Sequence, residues 1–271
     1  MSVAALADPI PAPDARIHYG PDPLQFGDLR LPAGPDPRPV VVMIHGGFWR
    51  AAHDLTYLNG LCAALTAAGT ATWNVEYRRI GQPGGGWPGT FHDAARAVDH
   101  LRALAPEHNL DLDRVVTLGH SAGGHLALWL AARGRIPTGD AVVTPDGAPL
   151  PLKGAVSLAG VCDLRQGWEL RLGDGAVEAL MGGPPATYPE RYATASPAAL
   201  LPLGVPQTLI HGTDDDRVPV VVSQDYYAHA TASGDDASLI MLPATGHFEF
   251  TVEDSDAWRA IFRVAQPLLE I

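Results

Sequence analysis

The sequence predicts an α/β fold with a mostly parallel, twisted sheet and helices on both faces. Continuous apolar runs, Val40–Ile44 above all, have the character of strands buried on both sides, and Gly or Pro bounds them. Helical stretches separate those runs, so strand and helix alternate along the chain. With 271 residues, 46% of them hydrophobic, the chain can bury one large core. We read residues 1–271 as a single domain with a small cap-like insertion at about 163–203.

Met1 to Asp14, rich in Ala and Pro, reads as a loosely attached arm. Ile17 to Leu31 mixes apolar and polar residues with Gly20, Pro21, Pro23 and Gly27, a pattern of short edge strands and turns. Pro32 to Pro39 is a turn ahead of the buried strand Val40–Ile44, and His45-Gly46-Gly47-Phe48-Trp49 is the loop that follows it. Asp54 is placed to cap a helix running to about Ala68, closed by Gly69. Thr70 to Tyr77 is the next strand, and Gly81 to Gly89 is too rich in Gly and Pro for regular structure. Phe91, Ala94, Ala95, Val98 and Leu101 fall at a helical period, predicting a helix from Thr90 to Ala105 that closes before Pro106. A strand over Val115–Leu118 and a helix over Leu126–Ala132 come next, then a loop from Gly139 to Pro151 and a strand at Gly154–Leu158. Asp163 to Leu203, the insertion, breaks the rhythm. Gln207–Ile210 and Ser238–Leu242 are the last strands, with a helix at Val220–Ser233 between them and a closing helix at Asp254–Leu269, bent or ended near Pro267.

The formal net charge of −12 argues against nucleic acid and anionic membrane surfaces as partners. No apolar run approaches the length that spans a bilayer, and Met1 to Pro13 lacks the basic and apolar regions of a secretion signal. The two cysteines, Cys62 and Cys162, read as reduced, packed thiols. Together these predict a cytoplasmic protein. No H-E-x-x-H or C-x-x-C motif is present, and Gly84-Gly85-Gly86 lacks the ending of a phosphate-binding loop. We expect no metal and no cofactor.

The chemistry centres on Gly119-His120-Ser121-Ala122-Gly123, where a strand turns sharply into a helix. Ser stands at the apex with Gly two residues to either side, the pattern of a nucleophile elbow. The apex residue is forced into a strained conformation, and side chains at Gly119 or Gly123 would collide as strand and helix close up. A serine hydroxyl is a poor nucleophile at neutral pH, so it needs a base, and the base needs a carboxylate to orient it. Eleven histidines are available. His45, His120, His125 and His211 lie beside glycines, where packed or hydrogen-bonded roles are expected. His247 follows the last strand in a turn ahead of the closing helix and is the expected base. For the acid, Asp214, Asp215 and Asp216 stand just past a strand, and Asp163 past another. Asp215 is favoured, with Asp163 and Asp214 as rivals. The amides of Gly47, Phe48 and Ala122 form the natural oxyanion hole. Glu76 and the pair Arg78-Arg79 read as a structural ion pair, while Trp49, Trp168 and Phe248 are the candidate substrate contacts.

With these motifs in place, the chain resembles the α/β-hydrolase superfamily from about Val40 to the C-terminus. His45-Gly46-Gly47-Phe48-Trp49 looks like the H-G-G-x-W loop of kynurenine formamidases (arylformamidases) and related small esterases. It departs from the H-G-G-G loop of hormone-sensitive-lipase-type esterases, because Phe48 replaces the third Gly. His211-Gly-x-x-Asp215-x-x-Val218-Pro219 is similar to the acid loop of esterases and prolyl-oligopeptidase-like hydrolases, which implies Asp215 over Asp214 as the acid. The resemblance implies an α/β-hydrolase fold and a serine hydrolase working through an acyl-enzyme with Ser121, His247 and Asp215; the short insertion, leaving little lid for a long chain, points to small carboxylic esters as substrates. The alternatives are an arylformamidase acting on N-formylkynurenine or a related N-formyl amide, and a non-catalytic binding protein on the same fold. The expected partner is a small-molecule ester or amide; a homodimer stays open.

Overall fold

In the computed structural model, which describes residues 10–144 and 147–269, eight strands form one sheet. They are β1 (Ala15–His18), β2 (Phe26–Arg30), β3 (Arg38–Ile44), β4 (Ala71–Val75), β5 (Leu110–His120), β6 (Gly154–Leu158), β7 (Gln207–Gly212) and β8 (Ala237–Leu242). The order across the sheet is β1-β2-β4-β3-β5-β6-β7-β8. β1 and β2 pair antiparallel with each other, as does β2 with β4; every other pairing is parallel. The expected edge strands and the mostly parallel sheet are both present.

Alternation along the buried strands divides the core in two. Val41 and Met43 of β3, with Val116, Leu118, Val156 and Ile210, face α1 (Asn59–Ala67) and α9 (Asp256–Leu269). Val40, Val42 and Ile44 face the other side, where α2 (Gly89–Asp99), α3 (Leu101–His108), α4 (Ala122–Ala132) and α8 (Val221–Ala232) pack. Each such buried aliphatic side chain contributes about 1.5–3 kcal/mol, and all five side chains of Val40–Ile44 are buried. Helices therefore cover both faces of the sheet.

Two predicted helices differ in detail. The stretch from Thr90 to Ala105 is two helices, α2 and α3, divided at His100, and α3 continues through Pro106 to His108. Pro106 sits in the last turn, where its missing N–H removes one intrahelical bond, and Asn109 stops the helix in the left-handed conformation (φ 51°). α9 likewise runs through Pro267 to Leu269. Asp54 caps a short 3-10 turn, Leu55–Leu58, that leads into α1. In the predicted N-terminal arm, residues 1–9 lie outside the described residues; Pro11 and Asp14 are tied to Arg30 and Leu31 by hydrogen bonds. Of the loop at Gly139–Pro151, residues 145 and 146 also lie outside.

The region 163–203 contains α5 (Leu164–Glu169), α6 (Leu172–Met181) and α7 (Pro189–Ala195). The Trp129 and His125 side chains of α4 reach it through bonds to the carbonyls of Thr194 and Ala195, both at 2.9 Å. The Gly84–Gly86 loop meets it too, since Trp87 N–H donates to the Leu180 carbonyl at 2.8 Å. Cys62 and Cys162 are unpaired and buried, and burial pushes both thiols up to about 12.

Candidate active site

β5 delivers Ser121 to the carboxyl end of the sheet. Ser121 has φ 58° and ψ −120°, a strained conformation for a residue with a side chain, and α4 begins at the next residue. The flanking glycines are sterically required. A Cβ on Gly119 would lie 2.0 Å from the Gly123 carbonyl oxygen, and one on Gly123 2.0 Å from that of Ile44. The elbow is thus closed tightly onto the end of β3.

The carboxylate that meets His247 is Asp215. Its Oδ2 accepts from His247 Nδ1 at 2.7 Å and lies 3.2 Å from Nε2 of His211. Its Oδ1 accepts from the amides of Arg217 and Val218, both at 2.8 Å. Burial opposes the charge on Asp215, but the bonds from His211 and His247 outweigh it and hold the carboxyl well below the usual carboxylate range. Asp163 is committed elsewhere, capping α5 through the amides of Arg165 and Gln166. Asp214 accepts from its neighbour Thr213. His211 was expected only to be packed or hydrogen-bonded; it is both, and its partners include Asp215. The place four residues before Asp215 at the end of β7 is the one sequence signal for that contact.

Between His45 and Trp49 the backbone turns through three successive positive φ values, at Gly47 (93°), Phe48 (51°) and Trp49 (54°). Gly46 approaches the elbow so closely that a Cβ there would be 2.8 Å from Ser121 Cβ. The amides of Gly47, Phe48 and Ala122 find no protein acceptor among the described residues. Beneath the loop, the buried His45 ring stacks on Tyr77 (4.4 Å between centroids) and contacts Glu76 Oε1 at 3.1 Å. Glu76 also pairs with Arg79 at 3.2 Å and receives the Tyr77 amide at 2.9 Å, so the expected ion pair is Glu76–Arg79. Arg78 pairs with Asp93 instead, at 2.7 Å.

The candidate substrate contacts fall in three different places. Phe248 is 54% exposed and stands edge-on to the His247 ring at 5.1 Å. Trp168 lines an open cleft of about 700 Å³ with Asp174 and Glu178, and its indole N–H donates to Glu178 at 3.0 Å. That cleft borders the loop at Gly47–Phe48, because the Phe48 ring packs on Gly173 and the Arg50 guanidinium donates to the Gly173 carbonyl at 2.6 Å. Trp49 is the exception: it is fully buried against His125, ring centroids 5.2 Å apart, and presents no wall to an open pocket. Its place at the end of the His45–Trp49 loop carries no signal of this; the left-handed turn at Phe48 and Trp49 rotates it into the core. No hydrogen bond joins Ser121 to His247 in this structure, a contact that commonly tightens only when substrate binds. Among the described residues no cluster of three or more His, Cys, Asp or Glu side chains is arranged to hold a metal ion, and no helix is long and apolar enough to cross a membrane.

The sheet order, the elbow and the loop beyond β3 define an α/β-hydrolase fold. The BD-FAE family model matches residues 28–229, and the chain belongs to that family, whose members are carboxylesterase-type α/β-hydrolases. It is 27% identical over 220 residues to Esterase LipC of Mycobacterium tuberculosis, covering 77% of this chain and 52% of LipC. The chain spans about half the length of the curated relatives it matches. Among solved structures, a truncated carbohydrate esterase from gut microbiota superposes with a TM-score of 0.79 at 19% identity, over 94% of this chain and 95% of that one. Esterase 2 of Thermogutta terrifontis, phosphonylated by sarin, gives a TM-score of 0.78 at 22% identity and 97% coverage of both chains.

Proposed function

We propose that the protein is a serine hydrolase that cleaves small carboxylic esters through an acyl-enzyme intermediate. The observation that carries the reading is the strained Ser121 beside the unpaired amides of Gly47 and Phe48, with the bonded pair His247–Asp215 on the adjacent loops. Ser121 Oγ attacks the ester carbonyl while His247 Nε2 takes its proton. Asp215 accepts from Nδ1–H and so keeps Nε2 free to act as the base. The amides of Gly47, Phe48 and Ala122 donate to the oxyanion of the tetrahedral intermediate. The C–O bond then breaks, His247 protonates the leaving alcohol, and a water activated by the same ring releases the acid. The name of LipC supports an ester as substrate, and the short insertion supports a short acyl group. Two unpaired cysteines agree with a reducing compartment, and we place the reaction in the cytoplasm.

An N-formyl amide is the second reading, carried by the Phe48-Trp49 pair. The burial of Trp49 weakens it, since an aryl group on the substrate cannot stack on that ring. The test is kcat/KM on p-nitrophenyl acetate and on N-formylkynurenine, each with Ser121→Ala as control. The ester should lead by more than tenfold, about 1.4 kcal/mol of transition-state preference. A formamide preference of that size would reverse the ranking, and vigorous hydrolysis of long-chain triglyceride would overturn the short-acyl assignment.

A further inference from the structure

We propose that Tyr57 and His120 are positioning residues that tie the oxyanion loop to the loop carrying His247 through one directional chain of hydrogen bonds. The inference rests on the serine-hydrolase reading for its effect on rate, but the chain itself is a matter of geometry. It starts at the amide of Gly46, whose N–H donates to Tyr57 Oη at 2.5 Å. The Tyr57 hydroxyl lies 3.0 Å from His120 Nδ1, and His120 Nε2 lies 2.8 Å from the His247 carbonyl oxygen.

Each link fixes the next. An amide can only donate, so Tyr57 Oη accepts from Gly46 and sends its own proton to His120. Nδ1 of His120 is then the acceptor, and the ring proton sits on Nε2. That proton meets a carbonyl oxygen, which can only accept. One tautomer and one hydroxyl direction satisfy all four groups, and no other arrangement does. Burial, reinforced by the neighbouring charge of His247, pushes His120 down to about 3, and burial raises the Tyr57 hydroxyl above its ordinary value. Both links stay neutral through the range in which a serine hydrolase works.

The ends of the chain are the two loops that must be in register with Ser121. Committing the Gly46 N–H to Tyr57 orients the start of the oxyanion loop and leaves Gly47 and Phe48 as the donors facing the substrate. Anchoring the His247 carbonyl holds the base loop against the end of β5, where the rings of His120 and His247 lie 4.7 Å apart. His120 immediately precedes Ser121, so nucleophile, oxyanion loop and base are all referenced to one strand end. Tyr57 comes from the 3-10 turn before α1, whose Leu55 amide also donates to Glu76 at 3.4 Å.

Tyr57→Phe removes only the central oxygen and leaves the Gly46 N–H and His120 Nδ1 unpaired. We expect kcat for p-nitrophenyl acetate to fall roughly ten- to a hundredfold, the cost of a small misplacement of reacting groups, with KM within about twofold. In a His120→Leu background, where the chain is already cut, the same change should cost less than about twofold more. A spectrum of the full chain with ¹⁵N-labelled histidine, assigned by comparison with His120→Gln, should show the His120 ring as the Nε2–H tautomer, unchanged from pH 5 to 9. An Nδ1–H or titrating ring would overturn the chain, as would a Tyr57→Phe enzyme with unchanged kcat or a loss confined to KM. Failure of the wild-type protein to turn over any ester would strike the serine-hydrolase reading instead, and the ring tautomer still decides the chain.

Discussion

Replacing Asp215 by Asn should inactivate the protein by reversing a hydrogen bond rather than by removing one. The Oδ1 of Asp215 faces two amide donors, Arg217 and Val218, each at 2.8 Å. In the Asn variant this position must remain oxygen, because an NH₂ group there would meet two N–H groups. The amide nitrogen is therefore turned toward the histidines, where it donates to His247 Nδ1. His247 is then forced to carry its proton on Nε2, the atom that has to receive the proton of Ser121. His211 cannot invert in the same way: its Nε2, 3.2 Å from the replaced oxygen, also donates to the Val218 carbonyl at 2.9 Å, so the new NH₂ group faces it donor to donor. A base held in the wrong tautomer costs about 10⁴ in kcat, or roughly 5.4 kcal/mol of transition-state stabilisation. The assay is kcat for p-nitrophenyl acetate with Asp163→Asn as comparison. Asp163 caps α5 through the amides of Arg165 and Gln166, so its variant should lose about 1 kcal/mol of stability or less and keep its activity. An Asp215→Asn enzyme within tenfold of wild type, or the opposite ranking of the two variants, would rule out Asp215 as the group that sets the His247 tautomer.

Other outcomes follow from the same geometry. Gly46→Ala places a Cβ 2.6 Å from the His120 carbonyl oxygen and 2.8 Å from Ser121 Cβ, so the loop must shift; kcat should fall about a hundredfold while circular dichroism shows a folded protein, and unchanged kinetics would contradict the close approach. His120 and His125 are fully buried and, with burial the main cause, are pushed to about 3 and about 4. Unfolded histidine titrates near 6.5, so the unfolded chain binds these protons first and stability is lost as pH falls below about 6.5. At pH 5 each ring should cost about 2 kcal/mol relative to pH 8; guanidinium unfolding at the two pH values measures the drop, and a flat profile would contradict the neutral, buried rings. Cys62 and Cys162, buried with thiols near 12, should resist a disulfide reagent in the folded state and react in full once guanidinium unfolds the chain.

The parts of the fold legible in the sequence are those governed by local pattern. Val40–Ile44 announces a doubly buried strand because five consecutive apolar residues have no solvent face to hide, and the observed strand extends that run by two residues. The elbow is legible because its geometry forces Gly at 119 and 123 irrespective of the rest of the chain. Asp215 and His247 are legible from their places just beyond β7 and β8, where an α/β sheet collects its functional loops. What the sequence hides depends on tertiary approach. Nothing local splits the helix at His100, because Leu101 continues the apolar period that predicts a single helix. Trp49 reads as a pocket residue at the end of a Gly-rich loop, and the positive φ values at Phe48 and Trp49 send its indole into the core. Tyr57 carries no motif at all. Its hydroxyl matters because the turn capped by Asp54 brings it to Gly46 and His120, residues 11 and 63 positions away.

The serine-hydrolase reading requires Ser121 to be an activated nucleophile. Incubating the pure protein with a fluorophosphonate probe and locating the adduct by peptide mass spectrometry tests it directly. The expected result is one covalent phosphonyl group on Ser121, lost in Ser121→Ala and formed much more slowly in His247→Ala. An unlabelled wild-type protein, or a label that persists at the same rate in Ser121→Ala, would contradict it.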